Sequence, residues 1–153
     1  MLDRYRMAYE ELREETGLIF VHLNPTQVSE RSLSLFDRRG VEHAIDLNKL
    51  PFVLQRKAEL ASFRLKRLKA DPSSKERAIN SLKSLFVMRA RKGFTDRRQV
   101  FKKNYGFIGD RAMQIDVGKI RKDRKIAEAP HQDTERILKK FDLWLLKHSY
   151  SPN

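Results

Sequence analysis

The chain has no cysteine, only six glycines and five prolines, and a single tryptophan in 153 residues. Without cysteine there is no disulfide and no thiolate metal site, so packing and hydrogen bonds alone must hold the fold. A reducing, cytoplasmic setting is expected, with leaderless export as the alternative. No apolar run approaches the roughly 18 residues of a membrane span, so no transmembrane segment is expected. The first residues, MLDRYRMAYEELREE, lack the apolar core of a secretory signal. The four histidines, His22, His43, His131 and His148, show no metal-ligand spacing, which argues against a zinc enzyme. Ser32 and Ser34 lack the turn context of an activated nucleophile. There is no internal repeat, low-complexity tract or clear linker, so one domain over 1–153 is expected.

What the chain has in excess is positive charge, +13 overall. It is unevenly spread: residues 56–125 carry 22 Lys/Arg against 7 Asp/Glu, and the remainder is slightly acidic. Such a segment points to an anionic partner: a nucleotide or other phosphorylated ligand, nucleic acid, or an anionic membrane surface. An acidic protein partner and a merely solvated basic surface are the blander readings.

Hydrophobic spacing predicts a helix plus a small sheet over 2–47, two helices over 48–93, a polar loop and hairpin over 94–118, and a basic segment with a final helix over 119–153. Residues 3–15 have one apolar side and Gly17 as a stop. Residues 18–23 read as a strand, and 34–37 and 41–47 as strands of a hairpin. A helix is expected from Pro51 to about Lys69, with Asn48 as its cap. A second is expected from Asp71-Pro72 to Gly93, with Ala78, Ile79, Leu82, Leu85 and Phe86 at three- and four-residue steps. Residues 94–103 read as loop, 105–108 and 112–117 as a hairpin, and 119–125 as an exposed basic run. The last helix is expected over 133–148, with Ile137, Phe141, Trp144 and Leu145 on one face.

The candidate chemistry lies between Gly93 and Gly118. Asp96, Asn104 and Asp116 are separated by basic residues, Lys102 and Lys103 among them, and by the expected hairpin. Phosphoryl transfer asks for this kind of set: carboxylate and amide oxygens for a cation, a base for the acceptor hydroxyl, and cations for phosphate oxygens. Each member has a plainer role as a turn or strand-end residue. Tyr105 and Phe107 alternate beside Lys102, Lys103 and Arg111, the pattern of a base-stacking strand or of a hairpin core.

Gly93-Phe94-Thr95-Asp96-Arg97, then Asn104, then Ile115-Asp116-Val117-Gly118, resembles the C-terminal lobe of protein-kinase-like domains, closest to the phosphoinositide-kinase branch. The resemblance spans roughly residues 18–120, with specific motifs only over 93–118. It implies an α+β fold with a kinase-like lobe, in which a hairpin ends in Asp-x-Gly. The helix 71–92 would deliver the catalytic loop, and the strands at 34–47 would end at the hinge. It further implies Asp96 as catalytic base, Asn104 and Asp116 as Mg²⁺ ligands, and Lys102 and Lys103 as contacts to ATP. The sequence departs from that pattern in three places. Asp96 and Asn104 lie eight positions apart, where the kinase catalytic loop has about five. Val117 stands where the motif usually has Phe. No glycine-rich loop or strand lysine is found upstream, and only 17 residues precede the first strand. The expectation is therefore a degenerate or truncated kinase-like domain that binds nucleotide phosphate with Mg²⁺, with residual phosphotransfer at most. A non-enzymatic basic module is the alternative.

Overall fold

A computed structural model describes residues 2–26, 32–96, 98–148 and 150. The chain opens with α1 (Leu2–Glu11) and α2 (Arg13–Thr16). The expected single helix is broken at Leu12, whose side chain is fully buried. Gly17 ends α2 at φ 66°, where a side chain would be strained. Then follow β1 (Leu18–His22), β2 (Ser32–Phe36), β3 (Glu42–Asp46), β4 (Phe52–Gln55) and β5 (Glu59–Leu60). Next come α3 (Ala61–Arg67), a 3-10 turn at Leu68–Ala70, and α4 (Pro72–Arg91). The last part holds β6 (Phe94–Asp96), α5 (Phe101–Asn104), β7 (Tyr105–Ile108), β8 (Arg111–Gln114), β9 (Ile120–Lys122), α6 (Arg124–Glu128) and α7 (Pro130–Lys147). The architecture is α+β with small antiparallel sheets. Among the described residues no helix is long and apolar enough to cross a membrane.

The strand pairing corrects three expectations. Residues 52–55 are a strand, because β1 needs a partner and takes β4: Val21 lies opposite Val53 and His22 opposite Phe52. Only residues 61–67 of the expected 51–69 helix are α-helical. The hairpin of β2 and β3 forms as expected, as a two-stranded sheet of its own. Residues 94–96 and 120–122, read as loop and exposed run, pair as β6 and β9; Thr95 lies opposite Arg121 and Asp96 opposite Ile120. Between them in sequence, β7 and β8 pair tightly around Gly109-Asp110, and β5 adds to the outer edge of β7. That edge needs Gly106, since a Cβ there would lie 2.7 Å from the Glu59 carbonyl oxygen.

Two apolar clusters hold these elements. The larger joins α3, α4, α5, β7 and α7. Phe86 is fully buried at its centre, with ring centroids 5.2 Å from both Tyr105 and Phe141. The smaller cluster packs Ala8 of α1, Leu12 and Leu18 against Phe94, Val117 and Ile120, and so lays α1 over the β6–β9 pair. Helix α4 forms as its sequence predicts. Asp71 caps it by accepting from the Ser74 backbone N–H at 3.0 Å, Pro72 opens its first turn, and Gly93 leaves it at φ 79°. The face of α7 read from the sequence is also the buried one: Ile137, Phe141 and Leu145 are inside, with Trp144 packed against them.

Candidate functional site

Asp96 ends β6 with no exposed surface. β6 leaves the C-terminal end of α4 and is clamped by β9, so the carboxylate is held at a fixed place beneath the β7–β8 hairpin. One carboxylate oxygen accepts from the Arg98 backbone N–H at 2.9 Å. The other accepts from Asn104 Nδ2 at 3.3 Å and from Gln114 Nε2 at 3.2 Å. The eight-residue gap is taken up locally: Gln99 turns the chain at φ 44°, and the single turn of α5 then returns it to Asn104.

Behind Asp96 stands a second layer that the sequence reading missed. Arg89 of α4 is 1% exposed, and its Nη1 donates to the Tyr105 hydroxyl at 2.9 Å and to Gln114 Oε1. The Tyr105 hydroxyl in turn donates to Gln99 Oε1 at 2.8 Å, and Gln99 Nε2 donates to the Asp96 carbonyl oxygen. Gln114 thus bridges a buried guanidinium and a buried carboxylate through the two ends of one amide. Burial pushes the Tyr105 hydroxyl pKa up; the Arg89 charge opposes the rise, and Asp96 adds to it. The hydroxyl stays protonated and keeps its donor role. A signal for this layer was present in the sequence: Leu82, Phe86 and Arg89 follow helical spacing, which places a cation on the apolar stripe of α4.

Asp116 is arranged differently. Its side chain is exposed, and one carboxylate oxygen accepts from the Gly118 backbone N–H at 2.8 Å. Its backbone is tied to Asn104 directly and to Asp96 only through Gln114: its N–H reaches the Asn104 carbonyl at 3.4 Å, and its carbonyl accepts from Gln114 Nε2 at 3.2 Å. Arg4 of α1 donates to the Gly118 carbonyl, and Tyr5 lies close by, its hydroxyl pKa raised by burial and by the Asp116 charge. Asp96 and Asn104 therefore meet side chain to side chain, while Asp116 joins them through its backbone. Lys102 and Lys103 are exposed on α5, and no hydrogen bond or ion pair links them to Asp96 among the described residues. Arg97 of the Gly-x-x-Asp-Arg motif lies outside the described residues.

Nothing among the described residues supports the Mg²⁺ centre that the resemblance implies on Asn104 and Asp116. Magnesium takes oxygen ligands turned toward it, and the oxygens of Asp96, the implied base beside that site, accept from three N–H donors. Asn104 presents its NH₂ to Asp96, which leaves Asp116 as the carboxylate with an uncommitted oxygen. Among the described residues no group of three or more His, Cys, Asp or Glu side chains is placed to hold a metal ion. Tyr105 and Phe107 are 0% and 2% exposed, so the base-stacking role that their alternation offered is not open to them.

No family model, curated protein or solved structure matches the chain.

Proposed function

We propose that the chain is a binding module for a phosphorylated ligand, nucleotides among the candidates, built on a kinase-like lobe and not transferring phosphate. Three features support the lobe. A long helix feeds β6, a hairpin intervenes between paired β6 and β9, and Asn104 is returned to Asp96 across an eight-residue gap. The +13 charge, concentrated in residues 56–125, supports an anionic ligand.

One observation carries the step from transfer to binding: the carboxylate of Asp96 is buried and its oxygens accept three N–H donors. A general base must reach the proton it abstracts, within about 2.6–3.2 Å or through one water. Asp96 offers no free oxygen for that, and its bonds instead match a residue that fixes the loop. Thermal stabilisation by millimolar ATP, with and without Mg²⁺, tests binding, and release of inorganic phosphate tests transfer. The reading expects stabilisation in both conditions and no release above a no-protein blank. Absence of any ATP effect, or phosphate release that disappears in Asp96→Asn, would sink it. Retention on single-stranded RNA with a steep salt dependence, and no response to ATP, would favour the nucleic-acid module instead.

A further inference from the structure

We infer that the ligand sits in the cavity between α2, β1 and β8, and that Arg56 and Arg111 bind its phosphoryl oxygens. The inference rests on the phosphate-binding reading above and gives that ligand a place: a compact organic phosphate, or the pyrophosphate end of a nucleotide.

The cavity has a volume of about 310 Å³. That is at the small end for a ligand pocket, enough for a phosphorylated small molecule and too little to enclose a long one. The backbone geometry brings its cations together. Arg56 directly follows β4, and its N–H donates to the Gly17 carbonyl at 3.0 Å, in the left-handed turn that ends α2. Arg111 is the first residue of β8 and projects to the same side of that strand as Met113, which forms part of the wall.

Three guanidinium groups and one carboxylate line the space, but they are not equally committed. Arg13 is engaged, donating to the Ile19 carbonyl at 3.2 Å with its guanidinium 4.6 Å from the Tyr9 ring centroid. Arg111 has one ion pair, to Glu14 at 3.3 Å, between side chains that are 56% and 77% exposed. Such a pair is weak in water and gives way readily to a stronger anion. Arg56 forms no side-chain hydrogen bond or ion pair among the described residues. Arginine presents a planar fork of donors that matches phosphate oxygens two at a time. Leu18 and Met113, both nearly buried, supply an apolar floor for the rest of a ligand.

A neighbouring cavity of about 230 Å³ also holds arginines, and the contrast is instructive. There Arg64 is paired with Asp110 and Glu59, and Arg77 is held by Ser73 and Ser74. The Arg64 charge is balanced by two carboxylates, which Arg56 lacks among the described residues. The position of the larger cavity also accounts for binding without transfer. Arg111 and Met113 face it, whereas Gln114, on the opposite side of β8, reaches Asp96. A strand separates the ligand from the carboxylate.

The experiment is calorimetric titration of the full chain with inorganic pyrophosphate and with ATP in low salt, for wild type, Arg56→Ala, Arg56→Lys, Arg111→Ala and Arg77→Ala. The expected result is at least a tenfold rise in Kd for both cavity alanine variants, a smaller rise for Arg56→Lys, and a change within twofold for Arg77→Ala. Arg56 and Arg111 are exposed, so the ligand-free melting temperatures should match wild type, and either variant alone is sufficient. ATP binding far tighter than pyrophosphate would identify a nucleotide, and equal binding a ligand recognised by its phosphates; both support the site. Binding that survives both alanine variants overturns the site and leaves the phosphate-binding reading standing. Equal loss in Arg77→Ala overturns it in favour of diffuse surface charge. No binding by wild type overturns both.

Discussion

Replacing Asp96 with alanine separates a structural carboxylate from a reactive one. The side chain is fully buried and accepts from Arg98 N–H at 2.9 Å, Gln114 Nε2 at 3.2 Å and Asn104 Nδ2 at 3.3 Å. Hydrogen bonds to a charged group are worth about 1.5–3 kcal/mol each when well formed, and two of these three are long. Removing the carboxylate also leaves Asn104 Nδ2 buried without its acceptor, at a cost of about 1–3 kcal/mol. Part of this is returned because Asp96 itself no longer has to be desolvated. Together these place the cost of Asp96→Ala at about 3–4 kcal/mol, a large share of the roughly 5–15 kcal/mol that holds a typical domain. Urea denaturation followed by tryptophan fluorescence should show a lower midpoint with an unchanged slope. The exposed Asp116→Ala should stay within about 1 kcal/mol of wild type. A reactive carboxylate held ready for substrate would behave in the opposite way, since its removal commonly leaves stability unchanged or raises it. An Asp96→Ala protein within about 1 kcal/mol of wild type would show that the carboxylate does not hold the loop.

Gly106→Ala should destabilise by about 1–3 kcal/mol in the same assay, because its Cβ meets backbone at 2.7 Å and β5 must move away from β7. Phe86→Ala should cost about 3–5 kcal/mol, as it empties the centre of the larger cluster. The Asp71 carboxyl is held below its ordinary pKa by hydrogen bonds from Ser74, so its stabilising effect is present above the ordinary carboxylate pKa and is lost as pH falls through the lowered folded value. Melting curves of wild type and Asp71→Asn should therefore converge as the pH falls below about 4.

The legible parts of the fold were those specified by neighbours in sequence. Asp71, Pro72 and Gly93 mark both ends of α4, and the 3.6-residue spacing of Ile137, Phe141 and Leu145 marks the buried face of α7. The hairpin turns at 37–40 and 109–110 were equally local. What failed was set at long range. Phe52 to Gln55 has no strong period of its own and becomes a strand because β1, thirty residues earlier, offers its edge. Residues 94–96 and 120–122 look like loop and basic run until Phe94 and Ile120 are seen to share one apolar cluster. In the candidate site, the order Asp96, Asn104, Asp116 was visible, and the first two do meet. The sequence could not show that Asn104 turns its NH₂ to Asp96, or that Gln114 and Arg89 close the network behind it. Arg56 was hidden for a related reason: its place beside Arg111 depends on the β1–β4 pairing.

Binding of phosphate without its transfer is the proposed role of the chain. The most direct measurement incubates wild type and Asp96→Asn with γ-labelled ATP, below the melting temperature of each, and follows bound nucleotide and released phosphate in one sample. The account predicts ATP bound by both proteins with Kd values within about threefold of each other and no released phosphate from either. Phosphate released by wild type and abolished in Asp96→Asn, or no ATP bound by wild type, would contradict it.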